Sequence, residues 1–208
     1  MTAHRDRRHA GRSEARRDRL GTASGGKARL FVALDLPADV REALAAWQRC
    51  ELGALPELRA VGPEALHVTL CFLGWRDLSE VARIGELAID AADGVRDLEL
   101  GTTAWLPPRA PRVLTVAVRD AGGACATLQG AVSDVLVAGG FYERERRPFF
   151  PHVTVGRVRG GRAPSGLRHR LPAPPAPLSF EAAAVTLYRS RPTARGSTYE
   201  ALARATPA

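Results

Sequence analysis

Residues 66–74 read Leu-His-Val-Thr-Leu-Cys-Phe-Leu-Gly, and residues 151–157 read Pro-His-Val-Thr-Val-Gly-Arg. Each is an apolar run interrupted by one histidine and, two positions on, one threonine. In a β-strand successive side chains alternate between faces. His67 and Thr69 therefore share one face, and Val68 and Leu70 take the other. His152 and Thr154 stand in the same relation to Val153 and Val155. With 5 His and 12 Thr in 208 residues, chance supplies about 0.3 His-x-Thr, so one copy carries little information. Two copies, each with valine between, carry far more.

The surroundings of the two copies match as well. A strand at 30–35, a helix at 37–51 and a strand at 66–73 lead through the first. A strand at 112–118, a helix at 124–138 and a strand at 151–158 lead through the second. This predicts two related lobes making one unit, since a solenoid needs three or more repeats. The first helix is read from Val40, Leu44 and Trp47, with Pro37 near its first turn. The third is read from Leu128, Val132 and Val135, ended by Gly139-Gly140. Between them, Asp77-x-x-Glu80 resembles a capping box before a helix with Val81, Ile84 and Ala88 on one face. Gly74 is expected to stop the 66–73 strand. Further strands are expected near 95–105, 178–189 and 198–204, with a Gly/Arg/Pro loop between about 158 and 177. Without regular βαβ alternation, a mostly antiparallel α+β fold is the expectation.

Composition narrows the class. The chain is 45% hydrophobic and 25% charged, which is globular. No apolar run approaches a membrane span of about 18 residues, and no apolar core follows the basic N-terminus as in a secretory signal. Residues 1–27 hold 8 bases, 3 acids and one large aliphatic residue, Leu20. They are expected to be a disordered basic tail before a domain at 28–208, with ordered sequence beginning at Arg29. Cys50, Cys71 and Cys125 are odd in number and widely spaced, which argues against a disulfide framework and for a cytoplasmic protein. Lys27 is the only lysine, so the bases are nearly all arginine, a bias that a GC-rich genome also produces.

If the lobes face each other, two imidazoles and two hydroxyls converge in one cleft. Histidine titrates near neutrality, so the pair can act as one acid and one base. Across a phosphorus atom this suits in-line displacement, with the threonine hydroxyls donating to the non-bridging oxygens. This chemistry calls for no metal, and threonine is a poor ligand without a carboxylate at ligand spacing. The residues alone do not tell acid from base.

The chain resembles the 2H phosphoesterases, in the branch of RNA 2′,3′-cyclic phosphodiesterases also called 2′-5′ RNA ligase-like proteins. The matching pieces are Arg29–Pro37, Leu66–Gly74, Pro111–Val118, Arg147–Arg157, Val185–Ser190 and Gly196–Leu202. The resemblance implies a bilobal fold, with two pseudo-twofold-related antiparallel sheets flanking a central cleft and helices outside. It implies hydrolysis of an RNA-terminal 2′,3′-cyclic phosphate to a 2′-phosphomonoester, without cofactor. It implies His67 as proton donor, His152 as proton acceptor, and Thr69 and Thr154 as phosphate-binding residues. A 2′-5′ ligase or nuclease and a small cyclic-nucleotide phosphodiesterase are alternatives using the same residues. A non-catalytic RNA-binding protein is a further alternative, against which the intact histidines argue.

Further candidates surround this core. Arg157 lies on the opposite parity from His152, so a phosphate contact needs a bend, which Gly156 could allow. Phe72, Phe149, Phe150 and Tyr188 are candidates for stacking on a base. Arg144, Arg146, Arg147, Arg159, Arg162, Arg168 and Arg170 form either an RNA-binding rim or a solvated loop. His4, His9 and His169 are read as inert. No phosphate-cradling G-x-x-x-x-G-K-[ST] loop occurs, so ATP dependence is not supported. Residues 144–170 hold 8 Arg and one Glu, so the net +8 divides into +5 for the tail, +7 for this strip and −4 for the rest. A monomer acting on RNA ends or small cyclic nucleotides, away from membranes, is the expectation.

Overall fold

The computed structural model describes residues 26–92, 95–161, 163–193 and 196–206. Of the tail expected at 1–27, residues 1–25 lie outside the described residues, as do His4 and His9. Lys27 already opens the first strand, opposite Asp77. In chain order come β1 (Lys27–Asp35), α1 (Ala38–Glu51), β2 (Leu58–Ala60), β3 (His67–Asp77) and α2 (Val81–Asp90). There follow β4 (Leu98–Leu106), β5 (Val113–Asp120), α3 (Ala124–Ala138), β6 (His152–Val158), β7 (Ser179–Phe180), β8 (Ala184–Thr193) and β9 (Gly196–Ala205).

All pairings are antiparallel, in the order β7-β4-β5-β6-β3-β1-β8-β9, with β2 added to β6. The sheet therefore consists of two halves, β6-β5-β4-β7 and β3-β1-β8-β9. The two expected sheets are joined into one by a single residue pair, Val68 opposite Val153. These are the middle residues of the two His-Val-Thr tripeptides, so the repeats meet at equivalent positions on the pseudo-twofold axis.

The helices bury the apolar face of this sheet. Val40 and Leu44 of α1, Ile84 and Ala88 of α2, and Leu128, Val132 and Leu136 of α3 are buried with Leu30, Val32, Val68, Leu70, Val153 and Val155. Leu136, not Val135, completes the buried stripe of α3. Trp47 is only partly buried, and its indole N–H donates to the Ala173 carbonyl at 3.0 Å. The Asp77–Glu80 capping box forms, but around a 3₁₀ turn at 78–80 that runs into α2.

Two boundaries differ from the sequence reading. β3 continues through Gly74, whose φ of +70 is taken up by a register shift against β1. Glycine enters this left-handed region freely, so the strand is bulged rather than broken. The segment 178–189 divides into β7, on the β4 edge, and β8, beside β1. No helix among the described residues is long and apolar enough to cross a membrane.

Candidate active site

Both motif strands carry the same irregularity. In β3 the register against β1 passes from Thr69 to Cys71, leaving Leu70 without a partner. In β6 the register against β5 passes from Thr154 to Gly156, leaving Val155 without one. Each is a bulge three residues after its histidine. It lets two successive residues point into the core, Leu70 with Cys71 and Val155 with Gly156, all buried. The alternation then resumes one step out of phase, so Phe72 and Arg157 emerge on the face that carries the histidines. Arg157 thus gets its bend. Gly156 is not what makes it, because Cys71 occupies the equivalent position in the same bulge. The freed Val155 carbonyl accepts from the buried Gln48 side chain of α1 at 2.7 Å, which keeps the bulge satisfied.

His152 is half-buried, with Nδ1 2.6 Å from the Phe150 carbonyl. A carbonyl only accepts, so Nδ1 carries the hydrogen and the neutral ring keeps its lone pair on Nε2. The Phe150 ring stacks on the imidazole, with centroids 5.4 Å apart. His67 has a tighter setting. Phe31 stacks on its ring at 4.9 Å and Tyr199 meets it edge-on at 5.2 Å. Burial, with smaller contributions from the Arg157 and His152 charges, pushes the His67 pKa down to about 4, against an opposing hydrogen bond to the Ala65 carbonyl. Ala65 and Phe150 each lie two residues before their histidine, so the two backbone contacts are also equivalent.

A depressed histidine pKa means that the unfolded chain binds the proton more tightly than the fold does. Its contribution to stability is fully present above pH 6.5 and is lost as pH falls from 6.5 toward 4, about 3 kcal/mol in all. Removing the positive charge beside it raises the pKa. Arg157→Met is expected to move the His67 titration upward in an imidazole NMR experiment, and an unmoved titration would contradict the electrostatic contact.

Two adjoining concavities hold these groups. The first, of about 210 Å³, is lined by His67, Thr69, Phe72, Thr154 and Arg157, with Arg29 and Arg59 added. The second, of about 700 Å³, has His152, Thr69 and Phe72 on its inner wall, and Arg112, Arg144, Arg147 and Phe149 among its other walls. The four motif side chains thus line one continuous cleft. Phe72 is 42% exposed, stands between the two spaces, and has the Arg29 guanidinium 4.6 Å from its ring centre. Phe149 is half-buried against the core with one side on the larger space. Among the described residues, no three His, Cys, Asp or Glu side chains converge as a metal-ion site.

Tyr188 is not brought to the cleft wall. Its ring stacks on Phe31 at 5.3 Å, and its hydroxyl donates to the buried Asp35 at 2.8 Å. The arginine strip also divides. Arg159 donates to the Pro56 and Leu58 carbonyls, and Arg170 pairs with Glu57 and donates to the Ala54 carbonyl. Those two, on either side of the undescribed Arg162, hold onto the segment from Ala54 to Leu58. Arg144 pairs with Asp134 on the rim of the larger space. Arg162 lies outside the described residues. Sequence reasoning missed Arg29, Phe31, Arg59 and Tyr199. Arg29 and Phe31 were legible by parity, two apart on a strand running beside the first motif. Arg59, opposite Arg157 on a three-residue strand, and Tyr199 had no local signal.

A concave antiparallel sheet with two pseudo-twofold-related His-x-Thr strands meeting at its centre defines the 2H phosphoesterase class. The model of the 2′-5′ RNA ligase superfamily matches residues 36–193, and the chain belongs to that superfamily. It is 35% identical over 132 residues to an RNA 2′,3′-cyclic phosphodiesterase of Archaeoglobus fulgidus, covering 63% of this chain and 73% of that one. It is 31% identical over 175 residues to the Escherichia coli protein of the same name, covering 82% and 90%. The crystal structure of E. coli LigT complexed with 3′-AMP superposes with a TM-score of 0.69 at 28% identity, covering 88% of this chain and 99% of that one. That of a Thermus thermophilus protein, TT0787, gives 0.69 at 26% identity, covering 86% and 97%.

Proposed function

We propose that this protein hydrolyses the 2′,3′-cyclic phosphodiester at RNA ends to a 2′-phosphomonoester, with His67 as proton donor and His152 as proton acceptor. The observation that carries this reading is the pairing of His67–Thr69 with His152–Thr154 about the Val68–Val153 bridge. The relatives named as RNA 2′,3′-cyclic phosphodiesterases support the substrate.

The steps follow from the side chains. The Nδ1–H of His152 is engaged by the Phe150 carbonyl, so Nε2 takes a proton from water as its oxygen attacks phosphorus. The bond from phosphorus to O3′ breaks, and O3′ receives the proton of His67. The product keeps phosphate on O2′ and a free 3′-hydroxyl. Thr69 and Thr154 donate to the non-bridging oxygens, and Arg157 with Arg29 and Arg59 counters their charge. In the free protein His67 is neutral at pH 7. An entering phosphate offsets both the desolvation and the Arg157 repulsion, and so raises the pKa toward that of a working acid. The complete cleft lies within one chain, which supports a monomer. Three unpaired cysteines, two of them buried, fit a reducing cytoplasm.

The test is an oligonucleotide ending in 2′,3′-cyclic phosphate, incubated with and without EDTA. The expected result is a 2′-phosphate product at equal rates in both. A 3′-phosphate product would overturn the assigned regiochemistry, and no turnover would overturn the reading.

A further inference from the structure

Beyond the turn that joins β4 to β5 lies a third concavity, of about 710 Å³, framed by Arg109, Arg112, Arg168 and His169. No Asp or Glu is among its described lining residues. Arg83, Arg119 and Arg191, by contrast, each face a carboxylate, Glu86, Glu99 and Glu200 respectively. Here the side-chain hydrogen bond within the group runs from Arg168 Nε to His169 Nε2 at 2.9 Å, so arginine donates to a neutral imidazole. Guanidinium stays charged at any accessible pH. Three of them around one hollow without counter-charge create a field that a polyanion relieves.

The hollow adjoins the cleft. Arg112 lines both this concavity and the 700 Å³ space beside His152, which in turn shares Thr69 and Phe72 with the His67 side. Arg112 therefore stands between the cleft and the hollow, with Phe72 and Phe149 on the cleft side and Arg109 and Arg168 on the other. Ala117 of β5 stands opposite His152, and Arg112 immediately precedes β5, five residues away or about 16 Å of extended chain. That matches roughly five stacked nucleotides, or fewer if the strand is extended.

From this contiguity and charge we infer that the Arg109–Arg168 concavity is a second phosphate-binding site, holding the backbone of an RNA strand roughly three to five nucleotides from the reacting end. The inference rests on the proposed RNA-end activity. It makes the preferred substrate an oligonucleotide rather than a cyclic mononucleotide. The lining arginines contact phosphate, so the site reads strand length and not sequence.

Turnover of 2′,3′-cyclic phosphate-ended RNAs of one to eight nucleotides tests this. In the wild-type protein, kcat/KM is expected to rise with length and level off once the strand reaches the hollow. The double variant Arg109→Ala, Arg168→Ala is expected to lose about tenfold on the longest RNA and nothing on the cyclic mononucleotide. Its binding should also depend less steeply on salt, by about 1.4 in the logarithmic slope for two lost single-strand contacts. Equal kcat/KM at every length, or equal losses on short and long substrates, would overturn the inference. If no substrate is turned over, the hydrolase reading fails separately. Anisotropy with labelled 3′-phosphate RNAs then still decides the second site, since unchanged affinity and salt slope in the variant would refute it.

Discussion

Replacing His67 or His152 with alanine is expected to lower kcat on a cyclic phosphate-ended RNA by about 10²–10⁴-fold each. The two substitutions together should cost far less than the product of the single effects, because acid and base serve one displacement. His152→Ala should melt close to the wild type, since the half-buried ring lies on the cleft wall, stacked on Phe150 and bonded to that residue's carbonyl. His67→Ala opens a gap against Phe31 and Tyr199, so His67→Gln is the companion variant that keeps most of the volume. A rate within tenfold of wild type for a folded variant of either histidine would remove it from the chemistry. Comparing kcat/KM with kcat adds a second reading. The free protein should show the His67 limb near pH 4, and the complex should show it higher, because bound phosphate favours the charged ring.

Asp35→Ala is expected to be strongly destabilising although it removes no apolar side chain. Asp35 ends β1 opposite His67 and is 6% exposed. Its carboxylate accepts from the Thr186 hydroxyl at 2.9 Å and the Tyr188 hydroxyl at 2.8 Å, and meets Arg204 Nε at 3.3 Å. Alanine strands the buried Thr186 hydroxyl and the half-buried Tyr188 hydroxyl, at a cost of about 3 kcal/mol. For a chain of this length that lowers Tm by roughly 6–12 °C. Tyr188 and Phe31 stack beneath His67, so the loss should also loosen the imidazole and lower kcat more than it raises KM. Asp35→Asn keeps the shape and one acceptor oxygen and should recover part of both losses. A Tm within about 2 °C of wild type for Asp35→Ala would mean that the network contributes little.

The legibility of this chain followed the range of the interactions involved. Amphipathic spacing marked α1 and α3, since a helix buries every third or fourth residue whatever it packs against. The repeat of strand, helix and His-Val-Thr announced two lobes. Three features escaped because their causes lie elsewhere in the chain. β2 has three residues and exists because β6 offers it an edge. Gly74 looked like a strand terminator and instead carries a bulge, which only the partner β1 reveals. Tyr188 is a candidate for stacking on a base from sequence, but the buried carboxylate of Asp35, 153 positions away, draws its hydroxyl inward.

Within the site, alternation alone put His67 with Thr69 and His152 with Thr154, because a two-residue period is a property of the strand itself. Alternation alone also put Phe72 and Arg157 on the wrong face. The paired bulges after Thr69 and Thr154 reverse that parity, and a bulge is a relation between two strands that neither sequence displays by itself. The joining of two sheets at Val68 and Val153, the gathering of Arg29 and Arg59 beside Arg157, and the division of the arginine strip into loop fasteners and cleft residues were likewise decided by packing. Local sequence determines which side chains a strand can present together. Which of them meet across a cleft depends on contacts between segments as much as about 150 residues apart, and those form only when the core beneath the sheet closes.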